Sequence, residues 1–338
     1  MKPEALMLHR VNLTISLEFR RPAACPPEVV SRRNLLTIAV GAMLSRASAT
    51  AQQTPTFSAD VKVVNVFATV RDKQGKLVRD LDKEDFEIRE DGKPQTIRYF
   101  ARESDLPLTI GLLFDSSLSQ TRVLEDERKA AYRFLDQVLS RNQDQAAVVQ
   151  FDQAVVIRQE LTSSHKDLQD VLSLIDSPDM RMPGAQGGTL LYDAVRQASI
   201  KLMRPQRGRK AFVVLTDGVD VGSNVTLNDA IESAQRAETL VYCILFSDES
   251  YYRGTGGGEG KGVLAKLARE TGGGFFAVTR NQTIEAIFKT IEDELRSEYS
   301  IGFVSDQPVT RSDFRTLKLT TKHKGLFVQA RSRYYAET

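Results

Sequence analysis

Three oxygen-bearing side chains stand at alternate positions directly after an apolar run. The run covers residues 108–114 and contains one glycine, and it is followed by Asp115, Ser117 and Ser119. Such a run is typical of a buried strand in a parallel sheet, so the polar residues are predicted to lie at its carboxyl end, where open α/β sheets bind ligands. Three oxygens at this spacing on a turn can converge on one point. A few such oxygens, completed by water, are what hard cations such as Mg²⁺ require.

Two later segments supply further oxygen ligands for the same point. Thr189 follows a pair of glycines at the start of a helical pattern. Asp217 follows a second apolar strand, residues 212–216, and precedes another glycine. The candidate set is therefore D-x-S-x-S, a threonine on a glycine-rich loop, and an aspartate at the end of a strand.

Taken together, these residues resemble the von Willebrand factor type A (VWA) domain with its metal-ion-dependent adhesion site (MIDAS). The resemblance implies that Ser117, Ser119 and Thr189 contact a bound Mg²⁺ or Mn²⁺ through hydroxyls, and that Asp115 and Asp217 act directly or through water. Two carboxylates would neutralise the cation, and neutral hydroxyls would leave it electrophilic. A free coordination position would then attract an acidic side chain of another protein. We therefore expect metal-dependent protein binding or adhesion, with a partner that the sequence does not identify.

The pattern of apolar residues predicts how the chain is organised around this site. Between residues 107 and 298 strands and helices alternate, which predicts a Rossmann-like VWA domain: a mostly parallel central sheet with helices on both faces. Residues 54–106 and 299–338 contain short strand patterns separated by turns. Each flank is too small to form its own core, so we predict one β-sandwich built from both flanks, with the VWA domain inserted between them. The predicted fold class is α/β with this added sandwich.

The first 51 residues have the features of an export signal. The basic pair Arg32-Arg33 precedes a short apolar run, and small residues at 47–51 form a cleavage pattern. The pair resembles that of a twin-arginine signal. Because the run is shorter than the ~20 residues of a membrane span, we expect an exported protein, periplasmic or secreted, with no stable membrane insertion after cleavage. An uncleaved anchor or a fortuitous apolar stretch is the alternative.

The rest of the chain adds a second resemblance. The Asp85-Phe86 region, the A domain and the closing residues 331–335 together resemble an exported "VWFA-related" family described from acidobacteria. That family supplies no agreed biochemical role.

A glycine-rich segment, residues 250–262, does not fit a phosphate-binding Walker loop, because Thr255 and Gly262 stand where the motif needs glycine and a hydroxyl residue. We expect a flexible loop there on the metal-bearing edge, followed by a helix over residues 263–270.

Charge and composition argue against other classes of function. The first 51 residues hold seven basic and three acidic residues, and the remaining chain holds 39 basic and 41 acidic residues, so its net charge is −2 and no nucleic-acid partner is expected. An enzyme is not predicted: Asp115-Ser116-Ser117 lacks the D-x-D of a Mg²⁺-dependent hydrolase, and G-x-S-x-G is absent. His165 and His323 have no evident partner in the sequence. The alternatives left open are a scaffold with a degenerate VWA site and a Mg²⁺-dependent hydrolase.

Overall fold

In the described part of the chain, strands and helices alternate in the middle, and the flanks on either side consist mainly of strands. The computed structural model describes residues 63–102, 107–177, 187–246, 258–309 and 313–336. The predicted signal peptide lies outside these ranges, as does most of the glycine-rich segment. All the described residues belong to one compact unit, Ala59–Thr338.

The described residues form fourteen strands and six α-helices. In chain order the strands are β1 Val63–Arg71, β2 Phe86–Glu90, β3 Lys93–Gln95, β4 Ile97–Ala101, β5 Leu108–Asp115, β6 Gln145–Phe151, β7 Val155–Thr162, β8 Arg209–Thr216, β9 Leu240–Leu245, β10 Phe275–Ala277, β11 Tyr299–Val304, β12 Asp313–Thr321, β13 Phe327–Ala330 and β14 Arg333–Ala336. The helices are α1 Leu124–Val138, α2 His165–Ser173, α3 Leu191–Ala198, α4 Leu227–Arg236, α5 Gly258–Thr271 and α6 Ile284–Leu295.

The central sheet has six strands in the order β10-β9-β8-β5-β6-β7. All neighbours run parallel except β7, which pairs antiparallel with β6. Helices α1, α2 and α6 cover one face and α3, α4 and α5 the other, because each places its apolar stripe on the sheet. Every residue of β5 and β8 is buried, as expected in the middle of a sheet that is covered on both sides. The predicted Rossmann-like architecture is confirmed.

Strands from the two flanks pair directly with each other. One antiparallel sheet has the order β13-β1-β11-β4, in which Val66 of β1 lies opposite Ile301 of β11. The second has the order β14-β12-β2-β3, and the two sheets share one apolar core. The predicted β-sandwich built from both flanks is therefore confirmed. The domain boundaries at 54–106, 107–298 and 299–338 stay predictions.

Glu298 is a buried carboxylate between α6 and β11. Neither of its oxygens has a hydrogen-bond partner within the described ranges. Burial raises the pKa of Glu298 to about 8, with the charge of Arg209 lowering it and that of Glu294 raising it. Arg209 is the first residue of β8, so this group lies at the amino-terminal edge of the central sheet, opposite the strand ends that carry the candidate site.

We expect Glu298→Gln to remove a pH-dependent loss of stability. Between about pH 4.5 and pH 8 the unfolded chain has released the Glu298 proton while the folded chain still holds it, so native stability falls as pH rises through this window. The advantage of the variant should grow by about 1.4 kcal/mol per pH unit there and stay constant below it. Urea unfolding at pH 4, 6 and 8 measures it, and a pH-independent difference would contradict it.

Candidate metal centre

Two acidic residues meet because their strands are neighbours. Strands β5 and β8 run parallel with Phe114 opposite Leu215, so Asp115 ends one strand where Asp217 follows the other. The hydroxyl of Thr216 donates to Asp115 Oδ2 at 2.5 Å and accepts from the backbone N of Gly218 at 3.0 Å. The turn that carries Asp217 is thereby fixed to the end of β5.

The two serines are turned toward Asp217 by the backbone after β5. Asp115 Oδ1 accepts from the backbone N of Ser117 at 2.9 Å, which bends the chain into a tight turn. A short 3-10 turn, Leu118–Gln120, follows. The hydroxyls of Ser117 and Ser119 are then 3.1 Å apart, and Ser119 Oγ donates to Asp217 Oδ2 at 2.5 Å. Four of the five predicted ligands therefore form one hydrogen-bonded group.

Thr189 lies across a groove from this group. Its backbone pairs with Val221 through hydrogen bonds of 3.0 and 2.9 Å, and the next residue donates to the carbonyl of Asp152. The groove has a volume of about 320 Å³ and is lined by Ser117, Ser119, Thr189 and Asp217 among others. Asp115 lies beneath it, fully buried. The structure thus brings all five predicted residues to one place.

Asp193 and Asp220 hold the loop of Thr189 against the loop after β8. Asp220 Oδ1 accepts from the backbone N of Tyr192 at 3.0 Å and from Ser223 Oγ at 2.6 Å. Asp193 Oδ2 accepts from the backbone N and the side-chain amide of Asn224, both at 3.0 Å. Both carboxylates accept hydrogen bonds from loop and helix-start groups, which gives them a positioning role at the site.

The electrostatics of the site favour a cation. Burial and the negative charge of Asp217 raise the pKa of Asp115 to about 7, although hydrogen bonds from Thr216 and Ser117 oppose the shift. A divalent cation between the two carboxylates would cancel this repulsion. No three His, Cys, Asp or Glu side chains in the described ranges are placed to share a metal, so hydroxyls would have to complete the ligand set. An all-oxygen set of this kind fits Mg²⁺ or Mn²⁺.

Helix α5 contributes to the site in a way that the sequence did not indicate. The helix begins at Gly258, five residues before the predicted start at 263. A Cβ atom on Gly260 would lie 2.2 Å from the carbonyl oxygen of Asp217, so only glycine allows this approach. The glycine content led to the prediction of a flexible loop through 262, because glycine is a poor helix former. For residues 258–262 that prediction is wrong, and the earlier residues of the segment lie outside the described ranges.

Two other differences from the predictions concern side chains. Each histidine has an aspartate partner: His165 Nδ1 is 2.8 Å from Asp136 Oδ1, and His323 Nε2 is 2.7 Å from Asp85 Oδ1. Both pairs are exposed on the surface.

Glu127 and Gln120 are buried beside the site and were not predicted. The sequence did contain an indication of Glu127: it is an acidic residue at one of the inward, otherwise apolar positions of α1.

A mostly parallel sheet covered by helices, with an oxygen-lined groove at the carboxyl ends of its middle strands, defines a VWA-type α/β protein. A sequence model of the von Willebrand factor type A domain matches residues 109–290. This is more than half of the chain, and the chain belongs to the VWA family. No curated protein matches the chain.

Several solved structures are similar to part of this chain. BatB from Bacteroides thetaiotaomicron is 19% identical with a TM-score of 0.43 and covers 56% of this chain and 97% of its own. The vWF domain of the type V pili tip protein Mfa5 from Porphyromonas gingivalis is 13% identical with a TM-score of 0.45 and covers 56% and 94%. Proximal thread matrix protein 1 from the mussel byssus, with a zinc-occupied MIDAS motif, is 14% identical with a TM-score of 0.44 and covers 62% and 50%. None of the helices in the described part of the chain is long and apolar enough to cross a membrane.

Proposed function

We propose that this chain is a metal-dependent protein-binding module that uses Mg²⁺ or Mn²⁺ to capture an acidic side chain of a partner protein. The observation that carries the proposal is the meeting of two carboxylates and three hydroxyls at one groove. Asp115 and Asp217 would neutralise the cation, and Ser117, Ser119 and Thr189 would complete its ligands without adding charge. The bound cation would supply an electrophilic position for the carboxylate of the partner.

The shape of the groove supports binding to a protein surface. It is open to solvent, and the glycines before Thr189 leave its wall without side chains. Val221 on the rim is 52% exposed, and Leu118 also lines the groove. A partner residue next to the captured carboxylate could pack on these apolar side chains, which would add a hydrophobic contact to the charge-assisted one. The proposal assigns no catalytic residue.

The proposed location is outside the cytoplasm. The leader of residues 1–51 has the basic pair, apolar run and small-residue pattern of an export signal. Expression of the full chain with and without Arg32→Lys and Arg33→Lys, followed by fractionation and amino-terminal sequencing, tests both export and the twin-arginine route. A chain that stays uncleaved in the cytoplasm would contradict this part of the proposal.

Removal of one neutral ligand tests the metal site. We expect Thr189→Val to weaken Mn²⁺ binding about fivefold, because one neutral oxygen contributes on the order of 1 kcal/mol. The backbone pairing with Val221 does not involve the side chain, so stability should change little. Calorimetric titration of Mn²⁺ and Mg²⁺ into the full chain measures this. Thr121→Val removes a nearby hydroxyl that bonds the carbonyl of Leu118 and should leave cation binding unchanged.

The partner class can be tested without knowing the partner. A random peptide display library is selected on the full chain in Mn²⁺ and, in parallel, in EDTA. The proposal expects peptides that bind only with Mn²⁺, share an aspartate or glutamate, and lose binding when that residue becomes the amide. Selection of the same peptides in EDTA would count against metal-dependent capture. Failure of the native chain to bind either cation would favour a scaffold role.

A further inference from the structure

Two buried polar side chains next to the candidate site make no hydrogen bond within the described ranges. Neither carboxylate oxygen of Glu127 has a partner, and neither the nitrogen nor the oxygen of the Gln120 side-chain amide has one. Both residues are fully buried. Buried polar groups in folded proteins are nearly always hydrogen-bonded. Two such exceptions near one candidate site therefore need a physical explanation.

Their positions point to the candidate metal centre. Gln120 is the residue after Ser119 and ends the short turn that begins directly after Ser117. Glu127 lies one turn into α1, on the face that packs against the sheet and is otherwise apolar. Burial raises the pKa of Glu127 well above the usual range, and the negative charges of Asp115 and Asp217 raise it further. Glu127 is therefore within electrostatic reach of both acidic residues of the site.

A third carboxylate at this position is unfavourable in the metal-free protein. It is removed from water, it has no hydrogen-bond partner in the described ranges, and Asp115 and Asp217 lie near it, so at neutral pH the metal-free chain holds Glu127 protonated at a cost in stability. A cation at the site reverses the sign of this interaction, because Glu127 would then face a positive charge. Water held by the cation would also give the oxygens of Glu127 and the amide of Gln120 hydrogen-bond partners.

We propose that Glu127, assisted by Gln120, is a positioning carboxylate for the cation: it lies beyond the direct ligands, adds a third negative charge beneath the site and orients coordinated water. The inference rests on the proposed function and deepens it. It explains why α1 carries an acidic residue in an apolar stripe, and it makes cation affinity and metal-free stability change in opposite directions when the charge is removed.

The test is Glu127→Gln, which keeps the shape and removes the charge. In the full chain we expect the Kd for Mn²⁺ to rise about 10–100-fold, as is usual for groups that support metal ligands. We expect the melting temperature of the metal-free chain to rise by about 2–4 °C, because glutamine is neutral in both states and the free-energy cost of keeping Glu127 protonated in the folded chain is gone. Titration calorimetry and thermal melts in EDTA measure the two effects. A merely structural role would lower stability and leave the affinity unchanged.

Two further variants keep the test decisive. Glu127→Asp retains the carboxylate and should keep the Kd within about fivefold of native. Gln120→Leu should weaken binding several-fold, and it supplies a separate test if the Glu127→Gln chain does not fold. Glu298→Gln is the matched control, because Glu298 is also buried with no hydrogen-bond partner in the described ranges but lies at the opposite edge of the sheet. It should leave the Kd unchanged.

The outcomes separate this inference from the proposed function. Native affinity in Glu127→Gln, together with loss of binding in Asp115→Asn, would overturn the role of Glu127 and leave the metal site standing. A fall in both stability and affinity in Glu127→Gln would also overturn it, since that result indicates damaged packing. Absence of Mn²⁺ binding in the native chain would overturn both.

Discussion

Asp115→Asn should abolish measurable Mn²⁺ and Mg²⁺ binding and leave the metal-free chain folded. Groups beyond the direct ligands already change metal affinity about 10–100-fold, so the loss of a carboxylate ligand should exceed 100-fold. The fold should survive because asparagine has nearly the same shape and can still accept from the backbone N of Ser117. At pH 8 the metal-free variant should be at least as stable as the native chain, since the charge that Asp217 repels is gone.

The measurement combines titration calorimetry with thermal melts in Mn²⁺ and in EDTA. A bound cation stabilises the folded state, so Mn²⁺ should raise the melting temperature of the native chain and not that of the variant. Asp152→Asn is the matched control: Asp152 lies at the same edge of the sheet and accepts from Ser116 Oγ at 2.8 Å, but it is outside the proposed ligand set. Native affinity in Asp115→Asn would exclude this carboxylate as a ligand.

The sequence was sufficient to predict which five residues the fold brings together, because each of them follows an element with a strong pattern. Asp115 ends a continuous apolar run, Asp217 ends another, and Thr189 follows two glycines. Parallel strands place their carboxyl ends at one edge, so only the adjacency of β5 and β8 had to be supplied by the fold. Whether these residues bind a cation stays a prediction.

The residues that support the site were harder to predict from the sequence, because their partners are distant along the chain. The apolar stripe of α1 identified the inward face, but it could not show that Glu127 lies near enough to two acidic residues on other elements for their charges to act on it. The sandwich was predictable as a class, because neither flank could form a core alone. Its register was not, since the pairing of Val66 with Ile301 joins residues on either side of the whole VWA domain.

Gly260→Ala should destabilise the chain and weaken the cation site together. Overpacking in a close contact typically destabilises by about 1–3 kcal/mol, and here the added Cβ would meet the carbonyl oxygen of Asp217, a backbone atom that cannot rotate away. Gly218 has φ +80°, and a Cβ on it would lie 2.6 Å from the carbonyl oxygen of Gly260, so the contact is tight from both sides. Displacement of the Asp217 turn should raise the Kd for Mn²⁺ about tenfold.

Gly262→Ala separates this contact from the general effect of glycine on helix stability. A Cβ on Gly262 would have nothing within 4 Å, so alanine there should stabilise α5 by about 0.5–1 kcal/mol and leave cation affinity unchanged. Urea unfolding and Mn²⁺ titration of both variants give the comparison. A Gly260 variant that loses stability but keeps native affinity would mean that Thr216 and β8 alone hold Asp217 in place. If the two variants have the same stability and the same Kd for Mn²⁺, the proposed role of the contact between α5 and the Asp217 turn is contradicted, because that contact is what distinguishes Gly260 from Gly262.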